Sequence, residues 1–138
     1  MNNIIQQISE KLTKKILEKA YSGGICDIDL LSSSILEDCK SAARDILEEI
    51  VSDLNIKIRE DKPSRKARGL ILKEKNRERS LFTEIGRLNL PRDYYYDKKE
   101  GKYEYLLDKV IGLQGYERIS AGVRACLLYT SDAADDMQ

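Results

Sequence analysis

The run Ser80-Leu81-Phe82-Thr83-Glu84-Ile85-Gly86-Arg87-Leu88-Asn89-Leu90-Pro91-Arg92-Asp93-Tyr94-Tyr95-Tyr96 decides the fold. Its apolar residues repeat every second position. Leu81, Thr83 and Ile85 alternate with Phe82 and Glu84, and Leu88, Leu90, Arg92, Tyr94 and Tyr96 then share one face of a second run, with Gly86 at the turn between them. A period of two places successive side chains on opposite faces of a strand, so the stretch predicts a β-hairpin. Alternation with a covered face predicts Tyr94 and Tyr96 toward the core and Tyr95 outward. Pro91 has no N–H to donate, which predicts an edge or a bulge at that point.

Downstream, Asp97-Lys98-Lys99-Glu100-Gly101 reads as a polar connection, and Tyr103, Tyr105 and Leu107 begin a third alternating run. The expectation is an antiparallel meander of three or four strands. Beyond Gly112 and Gly115, Ser120 is placed to cap the start of one more helix. Upstream the period lengthens. Ile4, Ile5, Ile8, Leu12, Ile16 and Leu17 recur at three- and four-residue spacing and predict an amphipathic helix ended by Ser22-Gly23-Gly24. Leu31, Ile35, Cys39, Ala43, Ile46, Leu47, Ile50 and Leu54 predict a second, with Asp27 or Asp29 as N-cap. The fold class is therefore α+β: a helical region over 1–56, then the meander and the start of a helix over 80–125. Between them lies 57–79, read as a basic connector, because Lys57 to Arg79 holds ten basic residues against four acidic ones and carries Pro63-Ser64 as a breaker.

With 138 residues the chain has room for one ordinary domain. No apolar run approaches the ~20 residues of a membrane-spanning helix, and no secretory signal opens the chain, so a cytoplasmic location is expected. The absence of histidine removes every mechanism that needs an imidazole base or ligand. Cys26, Cys39 and Cys126 form no paired spacing for zinc or disulfides and read as free buried thiols. No residue is assigned a catalytic or metal-binding role. Asp27 with Asp29, and Glu48 with Glu49, read as a helix-start cap and as solvated helix surface.

The stretch Cys126-Leu127-Leu128-Tyr129-Thr130-Ser131-Asp132-Ala133-Ala134-Asp135 fits none of these periods. Read back into codons it is similar to the reverse complement of an adapter used in transposase-based sequencing libraries. Residues 126–138 are accordingly expected to be adapter-derived and are set aside from fold reasoning, with the natural sequence ending near Ala125. The charge balance changes with them. The whole chain has 24 basic and 24 acidic residues, yet residues 1–56 hold six basic against ten acidic, residues 57–125 hold eighteen against eleven, and the tail adds Asp132, Asp135 and Asp136. An acidic helical half adjoins a basic β half.

Arg77-Glu78-Arg79-Ser80-Leu81-Phe82-Thr83-Glu84-Ile85-Gly86, then Leu88-Asn89-Leu90-Pro91-Arg92-Asp93-Tyr94-Tyr95-Tyr96, Tyr103-Glu104-Tyr105-Leu106-Leu107-Asp108, Gly112-Leu113 and Tyr116-Glu117-Arg118-Ile119-Ser120 together resemble the N-terminal part of the ISLre family of bacterial insertion-sequence transposases, also catalogued as uncharacterised proteins. The match covers roughly half of the chain, and the order of several motifs gives it more weight than any one of them. Pro91 and Asp93 depart from a strand that usually carries more basic or β-branched residues. The resemblance implies a parent enzyme whose later, RNase-H-like domain carries a carboxylate triad and two divalent metal ions, magnesium, for strand cleavage and joining. It implies that this chain stops before that domain, holds no cofactor and catalyses nothing alone.

The resemblance also implies DNA, the transposon ends, as partner. Lys62, Arg65, Lys66, Arg68, Lys73, Lys75, Arg77 and Arg79, joined by Arg92, then have two readings: a groove that neutralises phosphates, or a solvated charged linker. The resemblance favours the groove. Tyr94, Tyr95 and Tyr96 have an alternative to core packing, stacking on unpaired bases. The helical stripe from Ile4 to Leu54 is expected to serve homo-oligomerisation or to pack on a following domain. The competing class is a non-enzymatic interaction module with an incidental basic linker.

Overall fold

A computed structural model gives the fold and describes residues 2–22, 27–113 and 123. The expected helix at Ser120 and the stretch from Cys126 lie outside the described residues, as do Cys26 and Cys126 themselves. Two units are distinguished, Met1–Ile50 and Val51–Gln138.

In the first unit, α1 spans Asn2–Tyr21 and α2 begins at Ile28, continuing to Glu60 in the second unit. Ile5, Ile8, Leu12 and Ile16 form the half-buried line of α1, as their spacing predicts. Asp27 is the cap: its carboxylate accepts the Asp29 N–H at 2.8 Å, while Asp29 lies within the first turn. Lys19 of α1 and Asp38 of α2 pair at 2.8 Å. Burial here is shallow. Ala42 is the one residue in this unit that counts as buried among the described residues, and Leu17, Ile28, Leu30 and Leu36 are all exposed. Cys39, expected as a buried thiol on the helical stripe, is exposed.

The second unit holds the sheet. Pro63 lies in the first turn of a short helix α3, Lys62–Ala67, where its missing N–H costs nothing, and Asp61 accepts the Ser64 N–H. Strand β1 then runs Leu70–Thr83, β2 Gly86–Asp97 and β3 Lys102–Glu104, giving a three-stranded antiparallel sheet in the order β1-β2-β3. Residues 57–79 are thus not a linker but the end of α2, α3 and the first part of β1. Six consecutive exposed positions from Lys73 to Glu78 hid that strand from any test of alternation.

The hairpin pairs Leu81 with Leu88 and Thr83 with Gly86, so its turn is Glu84-Ile85. Gly86 opens β2 at φ 111°, a conformation other residues rarely adopt. Two register shifts in β1, between Leu72 and Glu74 and between Glu74 and Arg77, place extra residues opposite Asp93 and Tyr95. The second contains Asn76 at φ 53°.

The third alternating run is cut short. β3 has three residues, and Leu106–Ile111 forms helix α4, which ends at Gly112 in the left-handed conformation. Leu106, Leu107 and Asp108 are all buried on it. Leu70, Tyr95 and Leu106 form one apolar cluster, with Ile58 of α2 and Leu72 packed against it. Tyr95 is therefore a core residue at 1% exposure, and Tyr94 and Tyr96 are half-buried. Alternation held, but the sides are the reverse of those expected, because α2 and α4 supply the Tyr95 face with apolar cover.

Candidate nucleic-acid interface

The nine cations singled out in the sequence separate by environment. Lys62, Lys66 and Arg68 are exposed on α3 and its C-terminal cap, and Lys73, Lys75 and Arg77 are exposed on β1. Arg65 is half-buried: it donates to the Arg59 carbonyl at 2.8 Å and lies over the Tyr95 ring at 5.7 Å. Arg79 and Arg92 turn inward. Both reach one carboxylate oxygen of buried Asp108, at 3.1 and 2.7 Å, and Arg92 stacks 3.5 Å from the centre of the Tyr105 ring. Six exposed cations therefore follow one another along α3 and β1, with Glu74 beside Arg77 at 3.5 Å.

Next to the β1 cations runs a row of tyrosines. Register sets Tyr96 opposite Tyr103, and their rings lie 4.9 Å apart. Tyr103 stacks on Tyr94 at 5.0 Å and 12°, and Tyr94 meets Tyr105 at 4.9 Å. Lys73 lies over Tyr96 at 5.8 Å and Arg77 over Tyr94 at 4.9 Å, the latter also donating to the Tyr105 hydroxyl at 3.1 Å. Tyr103 and Tyr105 belong to this row although the sequence placed them only in a strand. The available signal was their spacing across the Asp97–Gly101 connection, which brings one tyrosine-rich strand beside the other.

Beneath this surface Asp93 is the hub of a polar network that the sequence marked only as a departure from pattern. It is fully buried. Arg59 of α2 grips both carboxylate oxygens, at 2.7 and 2.8 Å. The Asn55 amide donates to the carboxylate at 3.1 Å and accepts the Asp93 N–H at 2.9 Å. The Asn76 N–H donates to the same carboxylate at 2.9 Å, which ties the left-handed residue of the bulge to α2. Burial alone would raise the carboxyl's pKa. The hydrogen bonds from Arg59, Asn76 and Asn55 and the Arg59 charge outweigh it and hold Asp93 below the usual carboxylate range. Burial and the neighbouring Asp93 charge push the Tyr95 hydroxyl up to about 12. These groups fix the backbone beneath the tyrosines. Among the described residues no three His, Cys, Asp or Glu side chains gather as a metal-binding group, and no helix is long and apolar enough to cross a membrane.

Comparison with known proteins places the chain beside a family described as Uncharacterised protein family (UPF0236), whose model matches residues 24–134. That span includes part of the stretch read above as adapter-derived. A UPF0236 protein of Caldanaerobacter subterraneus subsp. tengcongensis, whose name joins eleven locus designations, is 30% identical over 129 residues, covering 91% of this chain and 27% of that protein. Another from the same bacterium, whose name joins four, is 31% identical over 129 residues with the same two coverages. A third is 31% identical over 102 residues, covering 74% of this chain and 21% of its own length. The chain thus spans about a quarter of the length of these curated relatives. No solved structure matches it at a significant level.

Proposed function

The chain belongs to the uncharacterised protein family UPF0236, and on that footing we propose that it is the DNA end-binding or assembly region of an insertion-sequence transposase acting in the cytoplasm. The observation that carries the DNA reading is the run of exposed cations Lys62, Lys66, Arg68, Lys73, Lys75 and Arg77 on folded elements. Cations fixed on a helix and a strand lose less freedom on meeting phosphates than cations on a loose linker. Arg79 and Arg92 have a different role in this reading, since Asp108 already neutralises part of their charge and they are withdrawn from the surface.

Two observations favour a mobile element. The motifs between Arg77 and Ser120 resemble an insertion-sequence transposase family, and two relatives carry names joining eleven and four loci of one bacterium, the multiplicity expected of a gene that copies itself. The carboxylates and the magnesium ions of such an enzyme are assigned to the remainder of the parent protein, because this chain corresponds to about a quarter of its relatives. A second role, assembly through the helical unit, is supported by the exposed apolar residues Leu17, Ile28, Leu30 and Leu36.

A salt-titrated mobility shift with duplex DNA tests the proposal. Six phosphate contacts give a slope of about −5 in log affinity against log salt, a loss of roughly a thousandfold between 50 and 200 mM. No shift even at low salt would leave only the alternative of a non-enzymatic oligomerisation module.

A further inference from the structure

We propose that the tyrosine row of the sheet is a stacking platform for unpaired nucleotides, with Tyr103 as its principal ring and Lys73 and Arg77 as flanking phosphate contacts. The inference rests on the DNA-binding reading above and deepens it by naming the form of DNA.

Tyr103 is 55% exposed, an unusual position for a large ring in the middle of an aromatic row. It is not loose. Tyr94 stacks against it at 12° and the Tyr96 ring lies 4.9 Å away, tilted by 51°, so its orientation is set before any ligand arrives. The backbone beneath is fixed in turn, because Tyr94 and Tyr96 flank Tyr95, which is locked in the core beside the Asp93 network. An ordered, solvent-facing aromatic ring offers a base its π-face with little further loss of side-chain freedom.

Charge identifies the ligand. The contact core of a protein–protein interface is depleted in lysine, whereas this row is bordered on its β1 side by Lys73 over Tyr96 and Arg77 over Tyr94, with exposed Lys75 between them in sequence. Cations alternating with ring faces match a strand in which phosphates alternate with bases. Base pairing decides the form. Inside a duplex both faces of each base are already stacked, so a tyrosine on a sheet surface can engage only bases that are unpaired, as at an opened or frayed DNA end.

The test compares oligothymidylate of roughly twelve nucleotides with a duplex of the same length, titrated into the 138-residue chain and into Tyr103→Ala, Tyr103→Leu and Tyr103→Phe. Because Tyr103 is 55% exposed, all three variants should fold, Tyr103→Phe melting with the parent and the Ala and Leu variants slightly below it for the lost ring contacts with Tyr94 and Tyr96. The expected result is a loss of roughly five- to a hundredfold in oligothymidylate affinity for the Ala and Leu variants. Tyr103→Phe retains binding within about twofold, since the ring face is kept. Duplex affinity is unchanged in all three. Arg77→Gln should weaken both ligands and lower the salt slope by about one.

Equal oligothymidylate affinity for Tyr103→Ala and the parent overturns the platform while leaving duplex binding intact. So does an equal loss for both ligands, or a loss of self-association in place of DNA binding. If the parent binds neither ligand, the DNA reading fails together with the platform.

Discussion

The two units solve the problem of burial differently. In the helical unit the described core amounts to Ala42 at 7% exposure, and large apolar side chains face water, with Leu36 at 54% and Ile28 at 74%. In the sheet unit Tyr95, Leu88 and Leu107 are all but fully buried, each contributing about 1.5–3 kcal/mol of apolar burial. That unit also encloses two charged networks, around Asp93 and Asp108. The helix α2 contributes to both units, with Leu36 exposed in the first and Val51 and Asn55 buried in the second. Regular amphipathic spacing is therefore not sufficient for a core. The sheet unit has partners for its polar groups as well as its apolar ones, whereas among the described residues of the helical unit the stripe is half-buried, as at Ile8, Leu12, Ile35 and Leu47, and Leu17, Ile28, Leu30 and Leu36 face water.

The contrast is broken most directly at Asp93. Asp93→Ala leaves Arg59 without its carboxylate and the Asn76 N–H and Asn55 amide without their acceptor, and is expected to cost about 3–5 kcal/mol. Thermal melting followed by tyrosine near-ultraviolet dichroism reads this loss. If the variant melts within about 1 kcal/mol of the parent, the network is not what holds the sheet unit together.

Asp108→Ala comes next. It strips a shared carboxylate from Arg79 and Arg92, at an expected cost of about 2–3 kcal/mol by denaturant titration. The loss is smaller than at Asp93 because Arg92 keeps its stacking on Tyr105 and Arg79 has a further interaction. An effect equal to that of Asp93→Ala would mean that the two networks are one cooperative element.

Acid sharpens the same point with no substitution. Asp93 titrates lower in the folded chain than in the unfolded one, so its contribution is fully present above the ordinary carboxylate pKa, 3.8, and is lost as pH falls below it through the depressed folded value. Protonation keeps the side chain's shape, so the loss is smaller than on truncation. At the other extreme the raised Tyr95 hydroxyl withdraws stability as pH rises from 10 to about 12. Melting temperature against pH should fall at both ends, and Asp93→Asn should flatten the acid limb.

These groups also mark how much was legible beforehand. The hairpin from Leu81 to Tyr96 could be read because a period of two is a property of neighbouring residues. Which of Tyr94, Tyr95 and Tyr96 is buried could not, because Ile58 of α2, Leu106 of α4 and the two bulges of β1 decide it from a distance. The basic stretch concealed a strand for a related reason: exposed charges from Lys73 to Glu78 show no alternation, and Leu70-Ile71-Leu72 is too short a run to separate strand from helix. Of the nine candidate cations, Arg79 and Arg92 both pair with buried Asp108. Arg79 and Arg92 look the same in sequence, yet their partner lies 29 and 16 residues away.

The smallest expected effect tests the helical side of the contrast. Leu36 is exposed on α2, and glutamine is nearly as good a helix former as leucine, so Leu36→Gln removes apolar surface without disturbing the backbone. In a monomeric chain the change should stay within about 0.5 kcal/mol, the range of ordinary surface substitutions. Sedimentation measured alongside separates the two uses of this exposed apolar surface. If the helices assemble copies of the chain, Leu36→Gln lowers the association constant while monomer stability holds, since the residue is then buried only between copies. A loss of more than about 1 kcal/mol with no change in association would instead mean that Leu36 is covered within one chain. The helical unit would then have a core of its own, and the difference between the units would lie in the chemistry of their cores and not in the presence of one.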